Sequence, residues 1–443
     1  MDRQRILANV SSLTAEQLFD QIKQQNVTLD DLRATGNLDA TKRTKILDLQ
    51  KQLDSEDDEA WERARYGNEI ELSEYIRNNP SGKHVQAAKD KIRFWENARS
   101  EQHAKKQGII DAIRYNPNSF SPEQINDFLR EGTISKADLS NCGIPNTIIE
   151  AIQIIHPPNL DLGVTPHSIP TGYTEVYFWG IPGSGKTCAL SAIFSAAHKA
   201  GYLNIATGPG YDYMTRLKNI FVDDHAILPP PSPLETTQYL PFALKKADEN
   251  YARSISLIEL SGEIFQCFYY QNAGRTLPSQ SHQDTFDSLN RFLKGENRKI
   301  HFFFIDYSKG NKTDSSGYTQ SDYLEAASTY FKNNAVFGKS TDAIYVVLTK
   351  CDLMPGDNKN ERLSKAREHL GKDNFTSFMN ILKDNCNKYS INAGRLTIEP
   401  FSLGKVYFQS ICDFDPSSAN KIIDILLARV PQNKKSILDF FNK

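Results

Sequence analysis

The sequence has few cysteines, and their spacing excludes the sites that cysteines usually build. Six cysteines are spread over 443 residues, and no two of them form a C-x-x-C pair. Closely spaced cysteine pairs are the usual mark of a structural zinc site, and dense cysteine sets mark a disulfide framework. We therefore expect neither feature, and we expect free thiols in a reducing cytoplasm.

Long apolar runs and a strong charge imbalance are missing as well. No apolar run approaches the roughly 18 residues that a membrane-spanning helix needs. The first residues, MDRQRILANVSSL, contain no apolar core long enough for a signal peptide. The formal net charge is −2, so electrostatics gives no reason to expect binding to nucleic acid or to an anionic membrane. We expect a cytoplasmic protein with no membrane insertion and no nucleic-acid partner.

The first third of the chain, residues 1–155, has the periodicity of a helical region and contains an internal repeat. Residues 13–36 align without a gap with residues 120–143. Each copy places a hydroxyl before a helix and a glutamine three residues later, which is a capping box, and each ends in a glycine typical of a helix C-cap. Each copy is therefore predicted to be a small helix-turn-helix unit, and the match favours a duplication.

The segment between the two copies, residues 59–95, resembles a helical-repeat hairpin. Apolar residues recur at helical spacing on both sides of a break at residues 79–82, Asn-Pro-Ser-Gly. The acidic run before it, residues 54–59, is predicted to be a solvated connection or the start of a helix. No catalytic constellation is present in residues 1–155, and paired helical modules without chemistry usually bind partners. We expect protein partners here, because the repeat carries no basic stripe for DNA.

A proline-rich linker is predicted at residues 156–173, and a nucleotide domain at residues 174–443. A short apolar strand runs into GIPGSGKT, residues 180–187, which matches G-x-x-x-x-G-K-[ST] without a gap. Glycines allow the backbone N–H groups to form a concave anion site, and the helix that follows directs its positive end to the same place. Lys186 supplies a charge for the outer phosphates, and Thr187 a hydroxyl for Mg²⁺. The predicted phosphate-binding residues are Gly180, Pro182, Gly183, Ser184, Gly185, Lys186, Thr187 and Cys188.

The motifs after this loop follow the order found in Ras-like P-loop GTPases, which the chain resembles. A loop ending in two threonines precedes a predicted antiparallel hairpin, whose second strand runs into ELSGE, residues 259–263. In that family the loop threonine binds Mg²⁺ and senses the γ-phosphate, the acid holds Mg²⁺ through water, and the glycine N–H contacts the γ-phosphate. The resemblance assigns these three roles to Thr237 (or its alternative Thr236), Glu259 and Gly262.

Two departures from the family concern the chemistry. Glu259 stands where aspartate is usual, and Glu263 stands where the family has a glutamine that orients water. A carboxylate near a γ-phosphate is repelled unless a cation screens it. Hydrolysis is therefore slow, or Glu263 acts as a base, or a partner completes the site.

A continuous apolar run that ends in Asp306 supplies an alternative to Glu259. Such a run is typical of a strand buried on both faces. An ATPase would place the acid associated with Mg²⁺ after an apolar strand of this kind. An ATPase or ATP-dependent kinase that uses Asp306, with ATP in place of GTP, is thus the alternative function, and a nucleotide-binding scaffold without hydrolysis is the third.

The next apolar strand ends in residues 349–352, Thr-Lys-Cys-Asp, which resembles the family's Asn-Lys-x-Asp guanine motif. A carboxylate accepts hydrogen bonds from N1–H and the exocyclic amine of guanine, whereas adenine offers no such donor pair. The resemblance assigns base recognition to Asp352. The resemblance also implies that the side chain of Lys350 covers the base ring and ties the phosphate loop to this motif. Thr349, at the position of the family's asparagine, would keep only part of that residue's role. Residues Ser402 and Leu403 occupy the position of a backbone contact with the guanine oxygen.

The resemblance covers about residues 175–430 and implies an α/β fold of the P-loop NTPase class. That fold has three layers, a mostly parallel sheet with one antiparallel edge strand, and here it follows an all-α domain. The whole resembles TRAFAC-type bacterial GTPases fused to helical adaptor modules. The resemblance implies a Mg²⁺-dependent enzyme that binds and hydrolyses GTP, releasing GDP, as a switch in bacterial signalling or defence. Its helical region would couple nucleotide state to protein partners, and a nucleotide-dependent dimer stays open.

Overall fold

The structure is a computed structural model and describes residues 2–152, 168–208, 210–221, 225–229, 237–310, 312–314, 317–355 and 358–433. The chain forms two compact units, Met1–Ile109 and Ile110–Lys443. The predicted linker, residues 156–173, lies mostly outside the described residues. Thr236 and residues 436–441, for which the sequence predicts a short helix, lie entirely outside them. None of the described helices has both the length and the apolar character needed to cross a bilayer.

The first unit is helical, as the periodicity predicts. Its apolar side chains form two cores, one among the first four helices around Leu18 and Leu32, and one around Leu72 and Tyr75. The sixth helix continues past Ile109 into the second unit. The helices are α1 Arg3–Ala8, α2 Ala15–Lys23, α3 Leu29–Ala34, α4 Ala40–Ala64, α5 Glu69–Asn78 and α6 Val85–Tyr115.

The sequence predicts a connection or a helix start at the acidic run, residues 54–59. The structure instead places this run in the interior of α4. Its Asp57 is buried and accepts a hydrogen bond of 2.6 Å from Tyr75 Oη and one of 2.9 Å from the backbone N–H of Lys83. A buried carboxylate with such partners keeps its place in a helix that packs on its neighbours. The tertiary contacts of one residue thus override the local charge pattern.

The second unit contains helices and two β-sheets. Its helices are α7 Pro122–Arg130, α8 Lys136–Asn141, α9 Asn146–Ala151, α10 Lys186–Lys199, α11 Tyr211–Lys218, α12 Ile264–Asn272, α13 Gln280–Lys294, α14 Gln320–Asn333, α15 Lys359–Leu370, α16 Asp373–Tyr389 and α17 Ser417–Arg429. Its strands are β1 Thr174–Trp179, β2 Leu203–Ile205, β3 His225–Ile227, β4 Gln238–Leu244, β5 Arg253–Glu259, β6 Lys299–Asp306, β7 Thr341–Thr349, β8 Thr397–Pro400, β9 Gly404–Tyr407 and β10 Ile411–Phe414.

Both copies of the predicted helix-turn-helix unit are present, as α2–α3 and as α7–α8. The glycines that end the copies, Gly36 and Gly143, have left-handed backbones with φ of 67° and 79°, as a glycine C-cap requires. The matching caps explain why the two segments share a pattern, and the duplication itself stays a prediction. Every helix of both copies begins with a capping box, at Thr14, Thr28, Ser121 and Ser135.

The main sheet is mostly parallel, as predicted, and has seven strands in the order β2-β4-β5-β1-β6-β7-β8. Five neighbouring strands run parallel, namely β5, β1, β6, β7 and β8, and β4 pairs antiparallel with β5. The predicted hairpin is therefore present, but its antiparallel strand is not the edge strand. β2 pairs antiparallel with β4 and takes the edge. With three residues, β2 is too short to show a strand period in the sequence.

Helices cover both faces of the main sheet. Side chains of β1 alternate between the two cores: Tyr177 and Trp179 pack with α12, α14 and α16, whereas Val176 and Phe178 pack with α10, α11 and α17. A strand buried on both faces explains the uninterrupted apolar runs of β1, β6 and β7. The resulting layers leave the ends of the strands as the accessible part of the sheet.

A second, three-stranded sheet in the order β3-β10-β9 is absent from the sequence prediction. Its strands pair antiparallel. The loop before α7 is bonded to this sheet: Asn118 Nδ2 donates to Val406 O at 3.0 Å, and Gln409 N donates to Asn118 Oδ1 at 2.7 Å. α9 also contacts β10 and β3. The second helix pair therefore packs within the sheet-containing unit.

Candidate nucleotide site

The predicted site residues converge because the strands that carry them are parallel. The carboxyl ends of β1, β5, β6, β7 and β8 meet at one edge of the main sheet, and β4 begins at the same edge. Loops at such an edge are where open α/β sheets bind ligands. The strand ends, the loops and the start of α10 at this edge hold residues 180–188, Thr237, Glu259, Gly262, Glu263, Asp306, residues 349–352, Ser402 and Leu403.

The glycine-rich loop, residues 180–187, has the close approaches that its glycines predict. A Cβ on Gly180 would lie 2.5 Å from Ser184 Oγ and 2.8 Å from Phe304 O. Gly185 caps α10 with a left-handed backbone, φ 86°, and the helix begins at Lys186. The buried Ser184 Oγ has no hydrogen-bond partner within the described part of the chain. The loop thus combines a helix N-terminus with a polar atom that a ligand can satisfy.

Lys186 lies at the centre of the glycine-rich loop. Its Nζ donates to Gly180 O at 2.6 Å and to Ile181 O at 3.2 Å, and the residue is 7% exposed. Burial lowers the pKa of Lys186 to about 8, with Lys309 adding to the decrease and Glu259 opposing it. A buried ammonium held by peptide carbonyls suits a multivalent anion, because the anion supplies the missing counter-charge.

Thr187 and Glu259 meet at the end of β5, as a shared metal role requires. Thr187 Oγ1 donates to Glu259 Oε1, and Tyr213 Oη donates to Glu259 Oε2 at 2.8 Å. Burial raises the pKa of Glu259, although both hydrogen bonds and Lys186 oppose the rise. Thr237 is buried directly before β4, whose Gln238 pairs with Glu259 across the strands. A hydroxyl beside a carboxylate can give Mg²⁺ the protein ligands that it takes alongside phosphate oxygens.

The segment after Glu259 touches the glycine-rich loop. A Cβ on Gly262 would lie 2.2 Å from the backbone N of Pro182, so no residue but glycine fits there without displacing backbone. The next residue, Glu263, points to another partner: its Oε2 lies 2.8 Å from His282 Nε2, and His282 Nδ1 lies 2.7 Å from Ser279 Oγ. The structure thus places Gly262 at the loop and bonds the Glu263 carboxylate to α13.

Asp306, the alternative acid, is occupied by different groups. Its Oδ1 accepts from Ser308 N at 2.8 Å and from Ser308 Oγ at 2.7 Å, and its Oδ2 accepts from Lys350 Nζ at 2.8 Å. Gln320 holds its main chain through hydrogen bonds of 2.8 and 3.1 Å. Thr187 is bonded to Glu259 instead. This pairing favours Glu259 over Asp306 as the acid of a metal site.

Lys350 does not make the predicted tie to the glycine-rich loop, because Asp306 holds its ammonium. Thr349 and Lys309 make that tie. Thr349 Oγ1 donates to Ser184 O at 2.9 Å, and Lys309 Nζ donates to Pro182 O at 2.7 Å. Thr349 therefore connects the end of β7 directly to the glycine-rich loop.

The predicted base-recognition residues lie next to each other after β7 and β8. Ser402 Oγ donates to Asp352 Oδ1 at 3.2 Å, and Asp352 is half-buried. Burial raises the pKa of Asp352, and the bond from Ser402 is among the groups that oppose this. Leu403 O accepts from Asp415 N at 2.7 Å. In the first turn of α10, burial raises the pKa of the Cys188 thiol to about 12, so this residue stays protonated.

Four residues of the site were missed from the sequence: Tyr213, Ser308, Lys309 and Gln320. Only Ser308 leaves a local signal, since a serine two residues after an aspartate is typical of a turn that the aspartate caps. The other three act through tertiary contacts, with Tyr213 reaching Glu259 from α11 and Gln320 reaching Asp306 from α14.

The sequence matches no protein-family model, and no curated protein matches it.

Proposed function

We propose that the chain binds a purine nucleoside triphosphate with Mg²⁺ and hydrolyses it, in a domain of the P-loop NTPase class. The observation that supports this most directly is the hydrogen bond between Thr187 and Glu259, beside a glycine-rich loop wrapped around Lys186. Two separate motifs, distant in the sequence, here form one candidate metal and phosphate site.

The residues present suit such a ligand. Backbone N–H groups of the glycine-rich loop and the start of α10 would bind the β-phosphate, and Lys186 the outer phosphates. Thr187 and Glu259 would hold Mg²⁺, with Thr237 as a further ligand. The ion supplies charge neutralisation and orientation of the phosphates. Mg²⁺ usually takes one or two carboxylates and completes its shell with substrate phosphates and waters, which agrees with a site that has one carboxylate, Glu259.

We propose GTP rather than ATP as the substrate. Asp352 is half-buried beside Ser402 at the end of the sheet where the base would lie, and a carboxylate there suits the donor pair of guanine. Asp306, on which the ATPase or kinase alternative depends, is paired with Lys350. The Glu263 carboxylate is bonded to His282, so turnover is expected to be slow unless a partner rearranges this segment.

The helical region would couple nucleotide state to protein partners. In support, β9 follows Ser402 and Leu403 directly, and Asn118 binds β9 and the turn after it. β3, which precedes the loop of the candidate switch threonine, pairs with β10 of the same sheet. This small sheet thus connects both sides of the proposed nucleotide site to the helices α7–α9.

A thermal-shift and hydrolysis experiment tests the proposal. Guanine nucleotides with Mg²⁺ should stabilise the protein by RT ln(1 + [L]/Kd), or about 2.7 kcal/mol at a hundredfold excess over Kd, and ATP should not. Phosphate release should be lost in Lys186→Ala. Asp352→Ala should remove the preference for guanine but keep part of the triphosphate affinity. Equal stabilisation by GTP and ATP would contradict the base assignment, and stabilisation by neither would contradict nucleotide binding altogether.

A further inference from the structure

A second ammonium group lies against the glycine-rich loop. Lys309 follows β6, and its Nζ donates to Pro182 O at 2.7 Å. A Cβ on Gly183 would lie 3.9 Å from the same nitrogen. Lys186 binds the two carbonyls that precede Pro182 in the loop. Three consecutive carbonyls of one anion-binding loop therefore hold two lysine side chains that come from different parts of the chain.

Lys309 forms no ion pair with a carboxylate among the residues that the structure describes. Asp306, three residues earlier, is paired with Lys350 at 2.8 Å. Lys309 is half-buried, and burial lowers the pKa of its ammonium, with Lys350 adding to the decrease and Asp306 and Asp314 opposing it. Within the described part of the chain, Lys309 Nζ donates to a peptide carbonyl, and a partly desolvated cation is less stable there than when it is bonded to an anion.

We propose that Lys309 binds the outer phosphates of the nucleotide, as a second cation supplied by the same chain beside Lys186. This inference rests on the proposed function and names a residue that deepens it. On binding, a phosphate oxygen replaces Pro182 O as the acceptor for Lys309 Nζ. The exchange strengthens the hydrogen bond, because the new acceptor is charged.

A cation at this position also assists hydrolysis. The oxygen of water bonds to the γ-phosphorus, the bond from that phosphorus to the β–γ bridging oxygen breaks, and the electron pair leaves on the diphosphate. The proton of the water passes to solvent. Negative charge on the transferred group and on the leaving oxygen is spread over the outer phosphates, where an ammonium stabilises it.

The test compares Lys309→Ala and Lys309→Arg with a matched control in the same loop. Lys312→Ala serves as the control, because Lys312 is exposed and follows Lys309 in one turn, its N–H donating to Lys309 O at 2.8 Å. Full-length protein is titrated with GTP and with GMP in magnesium buffer, phosphate release is measured, and the melting temperature is recorded without nucleotide.

Lys309→Ala should weaken GTP affinity about tenfold and slow phosphate release about 100-fold, the loss typical of one electrostatic contact in a transition state. GMP affinity and the nucleotide-free melting temperature should stay close to wild type, Lys309→Arg should keep most of the affinity, and Lys312→Ala should behave as wild type.

The outcomes separate this inference from the proposed function. If wild-type protein binds GTP and Lys309→Ala matches Lys312→Ala, the inference is wrong and the proposed function stands. If Lys309→Ala lowers GTP and GMP affinity equally and also lowers the melting temperature, Lys309 only braces the loop, and the inference is again wrong. If wild-type protein binds neither nucleotide, the proposed function and the inference are both wrong.

Discussion

His301 is a fully buried histidine in β6, and its surroundings favour the neutral form of the ring. Trp179 Nε1 donates to its Nδ1 at 3.0 Å, and its ring stacks on Tyr177. Burial, with a contribution from Lys299, lowers the pKa of His301 from 6.5 to about 3. The neutral ring therefore fits an aromatic core that a protonated ring would disrupt.

The pKa of His301 predicts how stability changes with pH. Between the folded value of about 3 and the unfolded value of 6.5, the unfolded chain binds one proton more than the folded chain. The free energy of unfolding should therefore fall as the pH drops through this window, by up to ~1.4 kcal/mol per pH unit from this residue. Urea denaturation of wild type and His301→Phe between pH 7 and pH 5 measures the effect.

The variant should show the shallower pH slope, because it lacks the titrating group, whatever its absolute stability. Loss of the acceptor for Trp179 shifts the baseline of His301→Phe at every pH alike. Parallel slopes in the two proteins would contradict the assignment of a neutral, buried His301.

At this scale the sequence predicts which residues lie at the site but not which of them pair. Thr187, Glu259 and Asp352 each follow a recognisable strand or loop, so their shared edge can be predicted from topology. The partner of each side chain depends on loops of irregular conformation. The clearest example is the glycine-rich loop. The sequence predicts a bond from Lys350, whereas the structure shows bonds from Thr349 and Lys309.

Glycine has opposite roles in two helical elements of the chain. Gly143 ends the helix pair α7–α8 with a φ of 79°, whereas Gly108 lies inside α6 with an ordinary helical backbone. A Cβ at either position would meet no atom within 4 Å. Any difference between alanine substitutions at these two sites therefore reports backbone conformation and not packing.

Gly143→Ala should destabilise the second unit by about 1 kcal/mol, because alanine resists the left-handed conformation. Gly108→Ala should stabilise α6 by up to about 1 kcal/mol, the difference in helix propensity between the residues. Urea denaturation followed by far-UV circular dichroism measures both. Changes of the same sign in the two variants would contradict the conformational explanation.

Elements of the fold were predictable where their signal is local and long. β1, β6 and β7 are uninterrupted apolar runs, and the capped helices carry their own start and stop residues. β2, β3, β9 and β10 have three or four residues each, and strands of this length are defined by a distant partner rather than by a period. The second sheet was missed for this reason.

For the whole molecule, α7–α9 belong to the compact unit Ile110–Lys443. Hydrogen bonds from Asn118 and the contacts of α9 attach these helices to the second sheet. The sequence groups them with the other helices in residues 1–155, since composition alone cannot show on which core a helix packs.

Two truncated proteins test this assignment. Residues 110–443 should express as a folded protein with a cooperative thermal transition, because every contact of α7–α9 described here is kept. Residues 156–443 should melt several degrees lower or aggregate, because β3 and β10 lose their contacts with α9, and Val406 O on β9 loses the hydrogen bond from Asn118. The melting temperatures are measured by differential scanning fluorimetry. Equal values for the two proteins would show that the boundary predicted from the sequence, at residues 156–173, defines the domain.

The close approach of Gly262 to Pro182 has a consequence for how motion spreads from the glycine-rich loop. A close steric contact repels but does not attract, so displacement of Pro182 towards Gly262 would push on the start of α12, while the opposite displacement exerts no pull through this contact. The two segments are thus coupled in one direction only. The contact itself contains no charge or donor, so salt and pH act on it only through the groups that hold its two sides, Lys309 on Pro182 O and His282 on Glu263.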